Sequence, residues 1–367
     1  MKIIAKREQL LKPLQHIIRA IDERSRLPIL ANVMANAREG ELVLTATDLE
    51  VELSARTELT VAEPGDGALP ARKLLDILRA LPEGADLSLG VDGDKARLTC
   101  GRSRFSLATL PAADFPAGED LPFAGSLQLP QRALKLLIER THFAMASQDV
   151  RYYLNGLLLE GDGSTLRAVA TDGHRLAYCE APVECDPAGF QQQVIVPRKG
   201  VQELLRLLAD VETPVSLRLS ANHIQATVDD IRFSSKLIDG KFPDYQRVIP
   251  REGERAVIAD RLALRAALTR AAILSSEQYR GVRLSAENWL LRVQAHNPEQ
   301  EEAEEDIEVN YNGEALEIGF NVTYLVDALG ALPGELVKLS FTDASSSCLV
   351  QEPDGGNSKY VIMPMRL

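Results

Sequence analysis

The chain has 367 residues, which predicts two or three domains because a single hydrophobic core stops growing below that length. Hydrophobic residues make up 45% and charged residues 26% of the sequence, proportions that exclude disordered, collagen-like and coiled-coil proteins. The formal net charge of −12 argues against a nucleic-acid partner only if the charge is evenly spread, since phosphate attracts a local positive surface.

The first predicted elements are a helix and a run of strands. Leu10, Leu11, Leu14 and Ile17 recur at helical spacing, and Pro13 among them is a possible cause of a kink. Residues 41–46 then alternate between apolar and polar side chains and are bounded by turn formers, as antiparallel strands are. A second helical stretch over residues 74–81 and further strands complete this unit.

The same order of elements recurs twice along the chain. Asp48 in Thr47-Asp48 returns 124 residues later as Asp172 in Thr171-Asp172, and Asn297 lies 125 residues beyond that. Helical spacing is repeated over residues 134–138 and 262–268, and again in the second helices over 201–208 and 324–329. We therefore expect each repeat to open with a helix and to hold a second helix among its strands.

Three such repeats predict an α+β fold of antiparallel-sheet domains over residues 1–125, 126–252 and 253–367. The boundaries fall in segments 117–129 and 250–255, where Gly, Pro and charged residues interrupt the pattern.

The remaining composition points to the cytoplasm. No apolar run is long enough to span a bilayer, and the charges in the first twelve residues argue against an export signal. Cys100, Cys179, Cys185 and Cys348 are widely spaced, as expected of reduced thiols rather than a disulfide framework or a zinc site. We expect no metal and no cofactor.

The charge of the chain is unevenly distributed. Six helical windows together carry +10, which leaves −22 for the remainder, and only the last of them is negative: 7–20, 71–80, 131–140, 198–207, 261–270 and 321–330. Five basic pairs are each spaced to share one helical face: Lys12/Arg19, Arg72/Arg79, Arg132/Lys135, Lys199/Arg206 and Arg261/Arg265.

These basic faces have two interpretations. Either they solvate the outside of amphipathic helices, or they line one common surface toward a polyanion such as duplex DNA. The sequence shows no helix-turn-helix or zinc-finger motif, and aromatic residues are only 5% of it. Contact with DNA would therefore be with phosphate and indifferent to sequence.

Three further segments each have a structural and a functional interpretation. Asp172 could orient His174 as the general base of a hydrolase, although Leu49 and Glu50 follow the equivalent Asp48, which favours a repeated turn. Residues 299–308 hold seven carboxylates, as either a solvated run or one half of a charge-matched subunit contact. Residues 360–367 predict a closing strand whose methionines suit a groove for several peptides.

Several motifs together give the chain a family resemblance. They are Thr47–Glu50, Gly101–Phe105, Gln148–Gly156, Ala170–Leu176, Asn297–Glu305 and Met363–Leu367. On these motifs the chain resembles, from end to end, the bacterial DNA polymerase III β subunits, the sliding-clamp family. The resemblance implies a head-to-tail homodimeric ring of six similar domains, with helices around the hole and sheets outside.

The resemblance implies binding without catalysis. Such a ring encircles double-stranded DNA without sequence preference and tethers the DNA polymerase III catalytic subunit. Rebinding of the polymerase to the DNA then becomes intramolecular. The implied partners also include the clamp loader and other polymerases and repair proteins that carry short clamp-binding peptides, with no membrane and a place at the bacterial nucleoid. A repeat scaffold that binds proteins alone remains the alternative.

Three sets of contact residues follow from the resemblance. The implied DNA contacts are Arg24, Arg72, Gln148, Tyr152, Tyr153, Arg198 and Lys199. The implied partner-peptide groove consists of Leu154, Thr171, Gly173, His174, Arg175, Leu176, Pro243, Arg247, Val248, Asn321, Tyr324, Ser347, Val361, Ile362, Met363, Pro364, Met365 and Arg366. Ser345 departs from the apolar residue that the family often has in this groove.

The implied subunit interface joins the first domain of one copy to the third domain of the other. Its apolar part would bring Phe105 and Leu107 to Ile273 and Leu274. Its charged part would set Lys73, Arg102 and Arg104 against Glu299, Glu301, Glu302, Glu304 and Glu305.

Overall fold

The computed structural model describes residues 1–22, 24–116, 118, 122–123, 125–185, 192–251 and 255–366, without the side chains of 184 and 185. The expected boundary segments 117–129 and 250–255 lie partly outside the described residues, as do Leu367 of the terminal motif and the thiol of Cys185. The other three cysteines are free, and Cys179 and Cys348 are buried.

The described residues contain six α-helices, and they coincide with the six predicted windows. They are α1 (Arg7–Ile17), α2 (Ala71–Ala80), α3 (Gln131–Glu139), α4 (Arg198–Leu207), α5 (Arg261–Ala271) and α6 (Val322–Ala331). Pro13 lies inside α1 without ending it. None of these helices has the length and apolar composition needed to cross a membrane.

The strands of the described residues follow the same threefold order. The first repeat holds β1 (Lys2–Lys6), β2 (Asn32–Arg38), β3 (Glu41–Thr47), β4 (Val51–Glu58), β5 (Thr60–Glu63), β6 (Gly65–Pro70), β7 (Asp86–Asp92), β8 (Lys95–Cys100) and β9 (Ser103–Ala108). The second holds β10 (Gly125–Pro130), β11 (Gly156–Gly161), β12 (Thr165–Thr171), β13 (Arg175–Pro182), β14 (Glu184–Cys185), β15 (Gln193–Pro197), β16 (Pro214–Leu219), β17 (His223–Val228) and β18 (Ile231–Lys236). The third holds β19 (Arg255–Asp260), β20 (Gly281–Glu287), β21 (Leu290–His296), β22 (Glu302–Glu308), β23 (Leu316–Asn321), β24 (Leu336–Phe341), β25 (Cys348–Gln351) and β26 (Ser358–Ile362).

The expectation that each repeat opens with a helix is wrong. The strands β1, β10 and β19 precede α1, α3 and α5. In β1 the buried Ile3 and Ala5 alternate with exposed neighbours, the period-two pattern of a half-buried strand. Five residues carry too little of that pattern to stand out beside the longer helical one that follows.

The chain divides into two compact units. One holds the described parts of residues 1–132, 184–190 and 202–237. It contains the sheets β5-β1-β7-β8-β9 and β14-β10-β16-β17-β18-β4-β3-β2-β6. Antiparallel pairing of β18 with β4 joins strands of the first two repeats into that nine-stranded sheet.

The other unit holds the described parts of residues 133–183, 191–201 and 238–367. It contains the sheets β15-β11-β12-β13-β26-β25-β24-β19 and β22-β21-β20-β23. Antiparallel pairing of β13 with β26 joins the second and third repeats. The antiparallel α+β fold is thus confirmed, and the limits of the three domains remain a prediction.

In every repeat the first residue of the first helix bonds to the end of the second helix or to the segment just after it. Arg7 Nε donates to Leu78 O at 2.7 Å, and Arg261 Nη1 donates to Leu329 O at 2.9 Å. Gln131 holds the same position in α3, and its Oε1 accepts a hydrogen bond from Ala209 N at 3.1 Å. The two arginines therefore satisfy carbonyl groups at a helix C-terminus, so part of the helical positive charge serves the fold.

Candidate functional site

A repeated turn forms the centre of the candidate groove. Asp172 Oδ1 accepts hydrogen bonds from His174 N at 2.9 Å and Arg175 N at 3.0 Å. Asp48 does the same for Glu50 N and Val51 N, at 2.9 and 2.7 Å. Both aspartates therefore build an Asx-type turn. In the described residues the Asp172 carboxylate makes no hydrogen bond to the His174 imidazole, so the dyad that a hydrolase would need is not formed.

In both turns the residue directly after the aspartate has a left-handed backbone conformation. Gly173 has φ of +90° there, and Leu49 has φ of +77° in the first repeat. Glycine adopts this conformation without steric cost, whereas leucine adopts it only at a steric cost. A side chain at Gly173 would also be crowded, because a Cβ there would lie 3.0 Å from the Arg151 guanidinium nitrogens.

Arg175 connects this turn to α6. Its guanidinium pairs with Asp327 at 2.6 Å and donates to Phe143 O at 2.7 Å. It also lies over the Tyr324 ring, 4.5 Å from the ring centroid, a cation–π geometry. With its side chain only 13% exposed, Arg175 holds the groove together rather than offering a free charge.

Sequence reasoning missed two of these groups, Asp327 and Phe143. Asp327 did leave a signal, because it is the single charged residue of the only negative helical window. That charge has its explanation in the ion pair to Arg175.

The end of the chain runs beside this turn. Met363 N donates to His174 O at 3.0 Å, and Met365 N donates to Gly319 O at 2.8 Å. Residues 361–366 therefore continue from β26 past the turn toward Asn321, the N-cap of α6.

The segment around residues 242–249 packs against both the turn and the chain end. Phe242 and Tyr245 are buried in one cluster with Leu176 and Val361. Burial and a hydrogen bond to Glu160 raise the pKa of Tyr245 to about 12, so its hydroxyl stays protonated and anchors the segment. The 18 expected groove residues thus come from segments that all lie within one compact unit.

The expected groove residues include a buried and an exposed set. Leu154, Leu176, Val361 and Ile362 are each at most 3% exposed and belong to the buried set. Pro243, Arg247, Val248 and Met363 are exposed, with Val248 at 49% and Met363 at 48%. Ser345 is also exposed, and its amide and hydroxyl both donate to Asp343 Oδ1 at 2.7 Å.

The loop over residues 146–152 holds several of the expected DNA contacts. Arg198 supports its start, because Nη2 donates to Met145 O at 2.6 Å and to Ala146 O at 3.0 Å. Gln148 adopts φ of +57°, and Tyr152 is 57% exposed. Arg198 is thus half-buried and engaged by backbone, while Gln148 and Tyr152 face solvent.

Arg151 fixes this loop against the groove turn. Its Nε and Nη2 donate to the two oxygens of Asp149 at 3.0 and 2.8 Å, and these hydrogen bonds lower the pKa of Asp149 to about 2. Its Nη2 also lies 3.3 Å from Asp172 O. A polar cavity of about 570 Å³ is lined by Gln148 and Arg198 on the loop side and by His174 on the groove side.

Of the remaining expected DNA contacts, Tyr153 is half-buried and the other three are exposed. Tyr153 packs against Tyr152 edge to face, at 5.9 Å between ring centroids, and Lys199 is exposed on α4. Arg24 and Arg72 are also exposed, but they belong to the other compact unit.

The expected interface residues lie on or beside two sheet edges. β9 is the edge of the five-stranded sheet and β22 the edge of the four-stranded one. Lys73, Arg102 and Arg104 are exposed and pair with no carboxylate among the described residues, whereas Phe105 is half-buried and Leu107 is 9% exposed. Next to β22, Ile273 is 76% exposed and Leu274 is half-buried.

Known proteins match the chain over its whole length. The family described as DNA polymerase III beta subunit matches through its N-terminal domain at residues 1–119, its central domain at 128–244 and its C-terminal domain at 246–366. The beta sliding clamp of Pseudomonas putida is 54% identical over 370 residues, and that of Escherichia coli K12 is 49% identical over 369 residues, each with both chains fully covered. The crystal structure of the DNA polymerase III subunit beta from Pseudomonas aeruginosa is 52% identical and superposes with a TM-score of 0.97, again over 100% of both chains.

Proposed function

Because the chain belongs to the DNA polymerase III β subunit family, the sliding clamps, we propose how its residues perform that role. Two copies close head to tail into a ring that encircles duplex DNA and tethers the polymerase without catalysis. The single observation that carries the ring is the pair of open sheet edges with opposite charge, β9 with Arg104 on it and Arg102 just before it, and β22 with its carboxylates.

Pairing of these edges explains the expected interface. An open strand edge exposes unpaired backbone groups and invites a further strand. Leu107 is buried within β9 while its neighbours Ser106 and Ala108 are exposed, and Ile307 is buried within β22 in the same way. Joining β9 of one copy to β22 of the other would continue both sheets and set Arg102 and Arg104 near the acidic run. Such a heterologous contact must close on itself, or it would produce filaments.

The DNA-facing surface would hold the duplex loosely. Exposed Lys199 and Arg72 attract phosphate within the screening distance of about 8 Å at physiological salt, and Gln148 and Tyr152 add polar contact from the 146–152 loop. Half-buried Arg198 positions that loop through its backbone hydrogen bonds. Phosphate contacts of this kind carry no sequence information, as a ring that slides requires.

The groove would take short peptides with apolar anchors. Met363 and Val248 are both exposed, and a flexible methionine side chain can adapt to different apolar partners. Through this groove the polymerase catalytic subunit, the clamp loader, and other polymerases and repair proteins would compete. The role requires access to chromosomal DNA, so we infer a location in the bacterial cytoplasm, at the nucleoid.

Primer extension on a long primed circle tests this function. With loader and polymerase at fixed concentrations, adding the chain is expected to lengthen the product made per binding event. An excess of a short clamp-binding peptide should reverse that effect, while a scrambled peptide should not. Product length that is independent of the chain would contradict the proposal and favour a scaffold that binds proteins alone.

A further inference from the structure

The acidic edge strand β22 is partly neutralised from within its own chain. Arg270 Nε and Nη2 donate to the two oxygens of Glu305, each at 2.7 Å. Glu304 lies 3.4 Å from Arg292. These carboxylates are therefore engaged before any second copy approaches.

Two other acidic residues of the run 299–308 form no such ion pair among the described residues. Glu299 and Glu302 are exposed and form no ion pair with any described residue. The five expected interface carboxylates therefore differ in their capacity to bind a new cation.

Arg270 is placed where a second copy would have to bind. It lies in the last turn of α5, three residues before Ile273, which is 76% exposed. The Arg270 side chain is itself 57% exposed and that of Glu305 is 27% exposed. A bidentate guanidinium occupies both carboxylate oxygens in a fixed geometry, so an incoming arginine has to share or displace it.

We infer that Arg270 competes with the cations of a second copy for Glu305, and that Glu299 and Glu302 carry the charged part of the ring contact. This inference rests on the proposed ring. The competition makes the ring contact weaker than its number of carboxylates suggests, which suits a ring that must be opened to admit DNA. Arg270 thus tunes the strength of the interface through an exchangeable ion pair.

The dissociation constant of the full-length dimer, measured by sedimentation over a dilution series at low salt, tests the inference. Arg270→Gln frees Glu305 for the second copy and should lower the dissociation constant about two- to fivefold, the range of one exposed ion pair. Glu302→Gln should raise it by a similar factor. Glu305→Gln removes the same charge from the same strand and should leave it nearly unchanged.

Arg265→Gln provides the matched control for Arg270. It makes the same charge change on the same helix, but Arg265 packs against Gly330 of α6, so the dimer should be unaffected. Equal weakening by Glu302→Gln and Glu305→Gln, or a dimer that Arg270→Gln leaves unchanged or weakens, would overturn the inference. A wild-type chain that stays monomeric at every concentration would instead overturn the proposed ring.

Discussion

At the scale of single residues, Arg175 connects the segments that carry the expected groove residues. Arg175 ends the 171–175 turn, pairs with Asp172 and Asp327 and lies over the Tyr324 ring. The family resemblance identified Arg175 as a groove residue, but its ionic partner on α6 is 152 positions away in sequence. No local pattern reports a contact between residues so far apart.

Arg175→Met tests this role. The substitution keeps the aliphatic bulk but leaves two carboxylates without their cation, so we expect a loss of about 2–4 kcal/mol. Calorimetry should show a melting temperature several degrees lower, and a clamp-binding peptide should bind more weakly. Arg132→Met is the control, because Arg132 lies outside the expected groove and pairs with Glu212 at 2.6 Å but is 59% exposed, and such pairs contribute at most about 1 kcal/mol. Equal melting temperatures of the two variants would contradict the stabilising role of Arg175.

At the scale of elements, the sequence predicted helices better than strands. All six helical windows are confirmed, because each repeats apolar residues over two or more turns. The short opening strands β1, β10 and β19 were missed, and so were the helix-terminal hydrogen bonds of Arg7 and Arg261. Charge counts cannot distinguish an arginine that binds a neighbouring helix from one that faces solvent, since that depends on packing.

A double substitution on the edge strand β9 tests the proposed subunit interface. Arg104→Glu combined with Phe105→Ala reverses a charge and removes an apolar contact on β9, so the chain should sediment as a monomer. Arg19→Glu, an exposed change of equal charge beyond α1, should leave the dimer intact. A double variant that remains dimeric would show that β9 is not at the interface.

At the scale of the whole molecule, the uneven distribution of charge explains why the net charge is a poor guide to a nucleic-acid partner. The chain carries −12 overall, yet the six helical windows sum to +10. Repetition from Asp48 to Asp172 to Asn297 was readable from sequence, and with it the fold class. The way strands of neighbouring repeats pair, β18 with β4 and β13 with β26, was not, because such pairing depends on tertiary contacts rather than on local periodicity.

In the proposed ring, the cationic helix faces of two chains surround the DNA. Retention of the loaded protein on nicked circular DNA, measured by gel filtration at a salt concentration that suppresses ordinary phosphate binding, tests this arrangement. The protein should stay with the circle and be released once a restriction enzyme linearises it. Equal release from circular and linear DNA would rule out a closed ring around the DNA.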